Sequence, residues 1–118
     1  MSTPVTAANT QPVPQDRLYT SQAGDFGTVT VTRDSGFTGG GVAVTVTASI
    51  DGTPAAAVRT GERATLYVPA GEHIISAKAP MNTRKDRELV VKAAQIKAYR
   101  ISIDNVNATL DISPTLPD

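Results

Sequence analysis

The chain has 118 residues, the size of a single domain, and its 11 basic and 11 acidic residues cancel to a net charge of zero. A neutral chain with 4% aromatic residues offers neither the basic surface nor the stacking platforms of a nucleic-acid-binding protein. It contains no cysteine, which excludes disulfides, thiolate metal sites and cysteine nucleophiles, and no apolar run approaches the roughly 20 residues of a membrane span.

Residues 1–15 are predicted to form a disordered tether. They carry no charge and include three prolines, a small and polar composition that is typical of linkers. They have neither the basic start nor the apolar centre of a signal peptide. The segment resembles the tether after the lipid-bearing cysteine of many bacterial lipoproteins, and that cysteine would then precede Ser2 in the precursor. A plain disordered terminus of a soluble protein is the alternative.

The β-sandwich domain is predicted over residues 16–114, with residues 115–118 frayed. Its first clear strand is Gly27–Arg33, where threonines alternate with valines as on a half-buried strand. Asp34–Gly41 is predicted to be a flexible hairpin connection, because no Lys-Ser/Thr pair follows its glycines as in a phosphate loop. Val42–Ile50 carries five apolar residues on one face, which predicts the longest and most central strand.

Three turn signals divide the next stretch of the chain, in which glycine can accept a positive φ and proline fixes φ. The turn signals are Asp51-Gly52, Gly61 and Pro69-Ala70-Gly71. The segments around them alternate apolar and polar residues, so the sequence predicts four short strands in an antiparallel meander. Asp51 is interpreted as a turn residue whose carboxylate accepts backbone hydrogen bonds.

The last third of the chain predicts three further strands, separated by a turn or a brief helical piece at Ala94–Lys97 and by a turn rich in Asn and Asp. The strands are Arg87–Ala93 with Leu89 and Val91 inward, Ala98–Asp104 with Tyr99, Ile101 and Ile103 on one face, and Ala108–Ser113 with Leu110 and Ile112. An edge helix over Glu88–Arg100 is the alternative there. Seven or eight short strands without a long helical period predict an all-β fold, a single small antiparallel β-sandwich.

No catalytic or metal-binding set is predicted, and no cofactor. His73 is the only histidine: a Ser-His-Asp site would need it beside a serine and an acid, and zinc needs three or four ligands. It is interpreted as a packing residue whose ring covers a sheet edge. Asp86 and Glu88 are interpreted as local partners of neighbouring basic residues. The candidates for ligand binding are Phe37, Tyr67, His73 and Tyr99.

Two turn motifs carry a family resemblance. They are Ser49-Ile50-Asp51-Gly52 and Val68-Pro69-Ala70-Gly71-Glu72-His73. They are similar to the (I/V)DG and (V/L)PxGxH turns of small β-sandwich domains in bacterial envelope proteins, the PEGA domain and the DUF2846-type lipoprotein domain. The chain lacks the terminal Gly-Tyr of PEGA repeats and resembles the DUF2846 type more closely. The resemblance implies an Ig/PEGA-like sandwich in an exported, often lipid-anchored, non-enzymatic protein.

The expected function is that of a non-catalytic domain of the bacterial cell envelope, in the periplasm or anchored at the outer membrane. Its expected partner is another envelope protein, joined by strand addition at an exposed sheet edge, with membrane contact only through an N-terminal lipid anchor. The alternatives are a carbohydrate or cell-wall ligand-binding module, a structural subunit of a phage or secretion machine, and a small hydrolase.

Overall fold

The computed structural model describes residues 11–13, 24–33, 45–80, 84–103 and 110–116. This part of the chain contains strands and turns and no helix, which confirms the all-β prediction and makes the edge helix over Glu88–Arg100 wrong. The strands are β1 (Gln11–Pro12), β2 (Phe26–Arg33), β3 (Val46–Ile50), β4 (Thr53–Val58), β5 (Glu62–Pro69), β6 (Gly71–Lys78), β7 (Lys85–Val91), β8 (Ile96–Ile103) and β9 (Leu110–Thr115).

The strands form two sheets that pack face to face, which confirms the β-sandwich. One sheet has the order β1-β5-β2-β8-β9 and the other the order β4-β3-β6-β7. Most neighbouring strands are antiparallel, as predicted, but β1 with β5 and β2 with β8 are parallel. A parallel pair needs a long crossover, and here the whole four-stranded sheet lies in the sequence between β2 and β8.

The predicted meander is right for one hairpin and wrong beyond it. Asp51 and Gly52 have φ of 51° and 82° and join β3 to β4 with Ile50 opposite Thr53, the type I′ geometry that Asp-Gly favours. The chain then crosses to the other sheet, where β5 pairs with β2, and crosses back so that β6 pairs with β3. Turn residues decide where a chain bends, whereas the sheet that receives the next strand depends on which apolar faces remain uncovered.

The core lies between the sheets and is aliphatic, as the composition predicts. The inward positions Leu89, Val91, Ile101, Leu110 and Ile112 are all buried, which confirms their predicted direction. β3 is an interior strand of its sheet, as predicted, and Val46 and Ala48 are buried; residues 42–44 of the predicted strand lie outside the described residues. The largest fully buried side chains are Leu66, Ile75, Leu89, Ile101, Leu110 and Ile112.

The structure extends the domain beyond both of its predicted boundaries, residues 16 and 114. Gln11–Val13 falls within the predicted tether, yet β1 pairs with β5, the Val13 N–H donates to Arg63 O at 2.9 Å, and Val13 is buried. The tether prediction is wrong for these three residues, and residues 1–10, 14 and 15 lie outside the described ones. At the other end, β9 includes Pro114 and Thr115, because proline is tolerated on an edge strand.

The β7–β8 connection contains a strained residue. The Gln95 N–H donates to Lys92 O at 3.0 Å, which closes a turn, and Ala94 has φ of 63°. The equivalent turn between β4 and β5 places Gly61 there, with φ of 75° and the Glu62 N–H donating to Arg59 O. An L-residue with a Cβ pays a steric cost in this region of φ, and glycine does not.

We therefore expect Ala94→Gly to stabilise the protein by about 0.5–1 kcal/mol, the relief of backbone strain less the added flexibility of the unfolded chain. Urea unfolding gives the free energy of unfolding directly. Ala93→Gly is the matched control: Ala93 has no positive φ, so glycine brings only flexibility and destabilises. Equal effects of the two substitutions would contradict the assignment of strain to Ala94.

Candidate functional site

The only histidine lies at one end of the sandwich, where three chain segments meet. His73 is near the start of β6, and its Nδ1 lies 2.6 Å from Asp51 Oδ2 in the β3–β4 turn. Its Nε2 lies 2.7 Å from the carbonyl oxygen of Pro69, at the end of β5. The second carboxylate oxygen of Asp51 accepts the N–H of Ile74 at 2.8 Å, which is the backbone hydrogen bond predicted for this turn residue. We call this group the His73–Asp51 clasp.

The hydrogen bonds of the clasp favour a charged imidazole. Both ring nitrogens face atoms that can only accept, a carboxylate and a carbonyl, so both nitrogens donate when the ring is protonated. The hydrogen bond to Asp51 raises the pKa of His73 above its ordinary value of 6.5, and the bond to Pro69 adds to this. The same pair lowers the pKa of Asp51 below 3.8, chiefly through the hydrogen bond from His73 and then that from Ile74.

The clasp differs from a hydrolytic site in the group that faces the second ring nitrogen of His73. In a Ser-His-Asp triad one nitrogen of the imidazole faces an acid and the other a serine hydroxyl that it deprotonates. Here the acid is present, but the second nitrogen faces a backbone carbonyl, which has no proton to give. The His73 side chain is 13% exposed, so the ring is held between two connections of the fold. The geometry suits a structural fastening, in agreement with the predicted packing role.

We expect the clasp to make stability depend on pH. A raised pKa of His73 contributes stability that is complete below pH 6.5 and is lost as pH rises through the folded value. A lowered pKa of Asp51 contributes stability that is present above pH 3.8 and is lost as pH falls through its folded value. The contribution of the clasp is therefore greatest between these two ordinary values and declines above pH 6.5.

The measurement is the titration of the His73 ring protons by NMR in the wild type and in Asp51→Asn, which keeps an oxygen for the Ile74 N–H. The pKa of His73 should be lower in the variant, and urea unfolding should show less loss of stability from pH 6 to pH 8.5. An unchanged imidazole titration in Asp51→Asn would contradict the clasp.

The other candidate ligand residues differ in their surroundings. Tyr67 is half-buried on β5, with its ring edge-on to that of Phe26 at 5.5 Å between centroids. Tyr99 is buried in the core, and this burial raises the pKa of its hydroxyl. The hydroxyl donates to Glu88 O at 2.9 Å. Phe37 lies outside the described residues. Of these candidates, Tyr99 is therefore a core residue whose hydroxyl is engaged by the backbone of β7.

One lateral side of the sandwich is closed to strand addition by side chains. Arg87 on β7 donates to the carbonyl oxygen of Ile112 on β9 at 2.8 Å and pairs with the Asp111 carboxylate at 3.1 Å. Asp111 also accepts the Ile112 N–H at 2.9 Å, and Tyr99 caps the Glu88 carbonyl on β7. Occupied edge groups cannot template a further strand. The predicted means of association, strand addition, is thus disfavoured where β7 and β9 meet.

Sequence reasoning missed a set of exposed residues on the outer face of the four-stranded sheet. The set is Glu72, Ile74, Glu88 and Val90, which we call the Glu/Ile/Val face. All four are exposed, and the register places Glu72 opposite Val90 and Ile74 opposite Glu88. The signal in the sequence is the repeated spacing Glu-x-Ile and Glu-x-Val, which acquires meaning only when β6 and β7 are known to be neighbours.

Asp86 also behaves as predicted, whereas Glu88 does not. Asp86 pairs with Arg84 at 3.0 Å and accepts a hydrogen bond from Ser76, which lowers the pKa of the Asp86 carboxyl. The carboxylate of Glu88, by contrast, has no hydrogen bond or ion pair within the described ranges. Among those ranges no three His, Asp or Glu side chains come together as metal ligands would.

The comparisons with known proteins add no family. No protein-family model matches the chain, and no curated protein is significantly similar to it. Within the described residues, no helix is long and apolar enough to span a membrane.

Proposed function

We propose that this chain is a non-catalytic binding domain of a bacterial cell envelope, which presents one face of its sandwich to another protein. The observation that carries the proposal is the exposure of two neighbouring aliphatic side chains, Ile74 at 42% and Val90 at 46%, on a sheet face that also carries charge. Adjacent exposed apolar side chains with a polar rim are typical of sites where proteins interact.

The chemistry of the titratable groups supports a non-catalytic role. His73 is engaged by two acceptors, and the Asp51 carboxylate holds both the imidazole and a backbone N–H. Groups committed in this way fasten the fold and have no free position for a substrate proton. The envelope location and the lipid anchor are proposals that rest on the tether-like composition of residues 1–15 and on the resemblance of the turn motifs.

The experiment is site-specific photo-crosslinking in living cells of the organism that encodes the chain. A benzophenone amino acid replaces Val90 on one sheet or Ile96, which is 61% exposed, on the other. A light-dependent adduct of one defined mass at either position supports the binding function. The absence of an adduct at both positions, with the protein present at its native level, would refute it.

The envelope setting has its own test. Metabolic labelling with an alkyne fatty acid, followed by cell fractionation, should place a labelled protein in the membrane fraction. An unlabelled protein in the cytosol would remove both the anchor and the location from the proposal.

A carbohydrate-binding module is the second candidate, favoured by the edge-on pair of Phe26 and Tyr67 on the five-stranded sheet. Aromatic rings on a sheet face can stack on the apolar faces of sugars. Retention on immobilised peptidoglycan that is lost in Tyr67→Ala and kept in Val90→Ser would favour this candidate over protein binding. No retention of the wild type would exclude it.

A further inference from the structure

We propose that the Glu/Ile/Val face binds a basic, extended segment of a partner protein, in which Lys or Arg alternates with aliphatic residues. This inference rests on the proposed binding function and assigns its surface and the chemistry of its partner. The four residues form a two-by-two arrangement on β6 and β7, with each glutamate opposite an aliphatic residue.

The pairing geometry brings these side chains close together. The Asp51 N–H donates to Ile74 O, so the backbone of Ile74 faces β3, and the alternate residues of β6 face β7. The cross-strand pairs Glu72–Val90 and Ile74–Glu88 are therefore non-hydrogen-bonded pairs, in which side chains are closest, about 4.5–5.5 Å between Cβ atoms. The two aliphatic side chains form one diagonal of the face and the two carboxylates form the other.

The charge on the face selects the partner. Neither glutamate side chain makes an ion pair or a hydrogen bond within the described residues. The Asp51 carboxylate also lies beside Ile74, whose N–H it accepts, but it is already paired with His73, so the two glutamates supply the free negative charge. Negative charge beside exposed aliphatic side chains is complementary to a segment that carries positive charge beside apolar groups.

The neighbours of the face set its limits. Lys92, which directly follows β7, is exposed and bounds one end of the face. At the other end, Ser76 and Arg84 engage Asp86, so that carboxylate is already neutralised. The attraction for a cation is thus confined to the cross-strand pairs Glu72–Val90 and Ile74–Glu88. An extended segment matches these pairs because its side chains alternate with a period of two, as those of β6 and β7 do.

The test uses the full chain and the synthetic peptide acetyl-KVKVKVK-amide, followed by amide chemical-shift changes in NMR at low ionic strength. The amides of Glu72, Ile74, Glu88 and Val90 should shift most, and the effect should weaken as salt is added. The peptide acetyl-KSKSKSK-amide, which has the charges without the aliphatic groups, should bind at least about fivefold more weakly. The acidic peptide acetyl-EVEVEVE-amide should not bind.

The variants separate the face from general electrostatics. Glu72→Gln/Glu88→Gln should raise the Kd of the basic peptide by about fivefold, the sum of two exposed ion pairs. Thr115→Lys/Leu116→Lys adds the same two units of positive charge at the end of β9, in the other sheet, and should change the Kd less than twofold. All four positions are exposed, so both variants should keep the fold, which their NMR spectra report.

Three results would overturn the inference: equal weakening by the two double variants, equal binding of the acidic peptide, or shifts that map to other residues. A failure of this surface assignment can be told apart from a failure of the binding function. Crosslinking at Ile96 alone, together with a peptide that does not shift the Glu/Ile/Val face, would refute this surface and leave the binding function in place.

Discussion

Replacing Gly27 with alanine is expected to lower the free energy of unfolding by about 3 kcal/mol, the upper end of the range for overpacking a core. A Cβ at this position of β2 would lie 2.4 Å from Val91 Cγ1 and 2.9 and 3.0 Å from the carbonyl oxygens of Lys92 and Gln95. Val91 can change rotamer, but the two carbonyls belong to the β7–β8 connection. That connection is tied to β2, because the Thr28 N–H donates to Gln95 O at 2.8 Å and the Ala94 N–H to Phe26 O at 2.9 Å.

Gly24→Ala is the matched control. A Cβ there meets nothing within 4 Å, but its φ of 59° imposes the cost of a left-handed backbone, about 1 kcal/mol. Urea unfolding of both variants separates the two causes, because only Gly27→Ala introduces atomic overlap. If Gly27→Ala costs no more than Gly24→Ala, the connection moves away freely and the close approach has no energetic consequence.

The features that sequence predicts well are those set by neighbouring residues. Asp51-Gly52 predicts its own turn, because both residues tolerate a positive φ and few others do. The alternation in Gly27–Arg33 predicts a strand and its buried side, because one period of two residues decides both. In each case the physical cause lies within a few residues of its effect.

The features that sequence does not predict depend on the pairing of distant strands. The meander fails because β5 and β6 each pair across the chain, with β2 and β3. Asp51 and His73 are each interpretable alone, as a turn residue and a packing residue, but their hydrogen bond joins positions 22 residues apart. The Glu/Ile/Val face is likewise a product of register. A slip of one residue between β6 and β7 would turn one side of it towards the core.

The parallel pairing of β1 with β5 has a similar origin. The composition of residues 1–15 is that of a linker, and nothing local distinguishes Gln11–Val13 from their neighbours. What orders these residues is β5, whose Arg63 carbonyl accepts the Val13 N–H, and a core position that Val13 fills. Tertiary contact thus overrides composition at this point.

Tyr99→Ala is expected to destabilise the protein by about 3–4 kcal/mol, because it removes a buried aromatic ring from a small aliphatic core. Tyr99 is only 4% exposed, and it stands on β8 between Val31 of β2 and Pro114 of β9. Tyr99→Phe keeps the ring and removes only the hydrogen bond to Glu88 O. It should cost about 1 kcal/mol, because the freed carbonyl lies at a sheet edge where water can reach it.

The comparison also decides between a core role and the ligand-binding role that the sequence leaves open for Tyr99. A core residue affects binding only through folding, so Tyr99→Phe should leave both the crosslinking yield and any retention on peptidoglycan unchanged. A ligand-contacting hydroxyl would do the reverse, with binding lost and stability unaffected. Urea unfolding of the Phe and Ala variants beside the same binding assays therefore separates the two roles, because a loss of several kcal/mol in Tyr99→Ala arises only from burial.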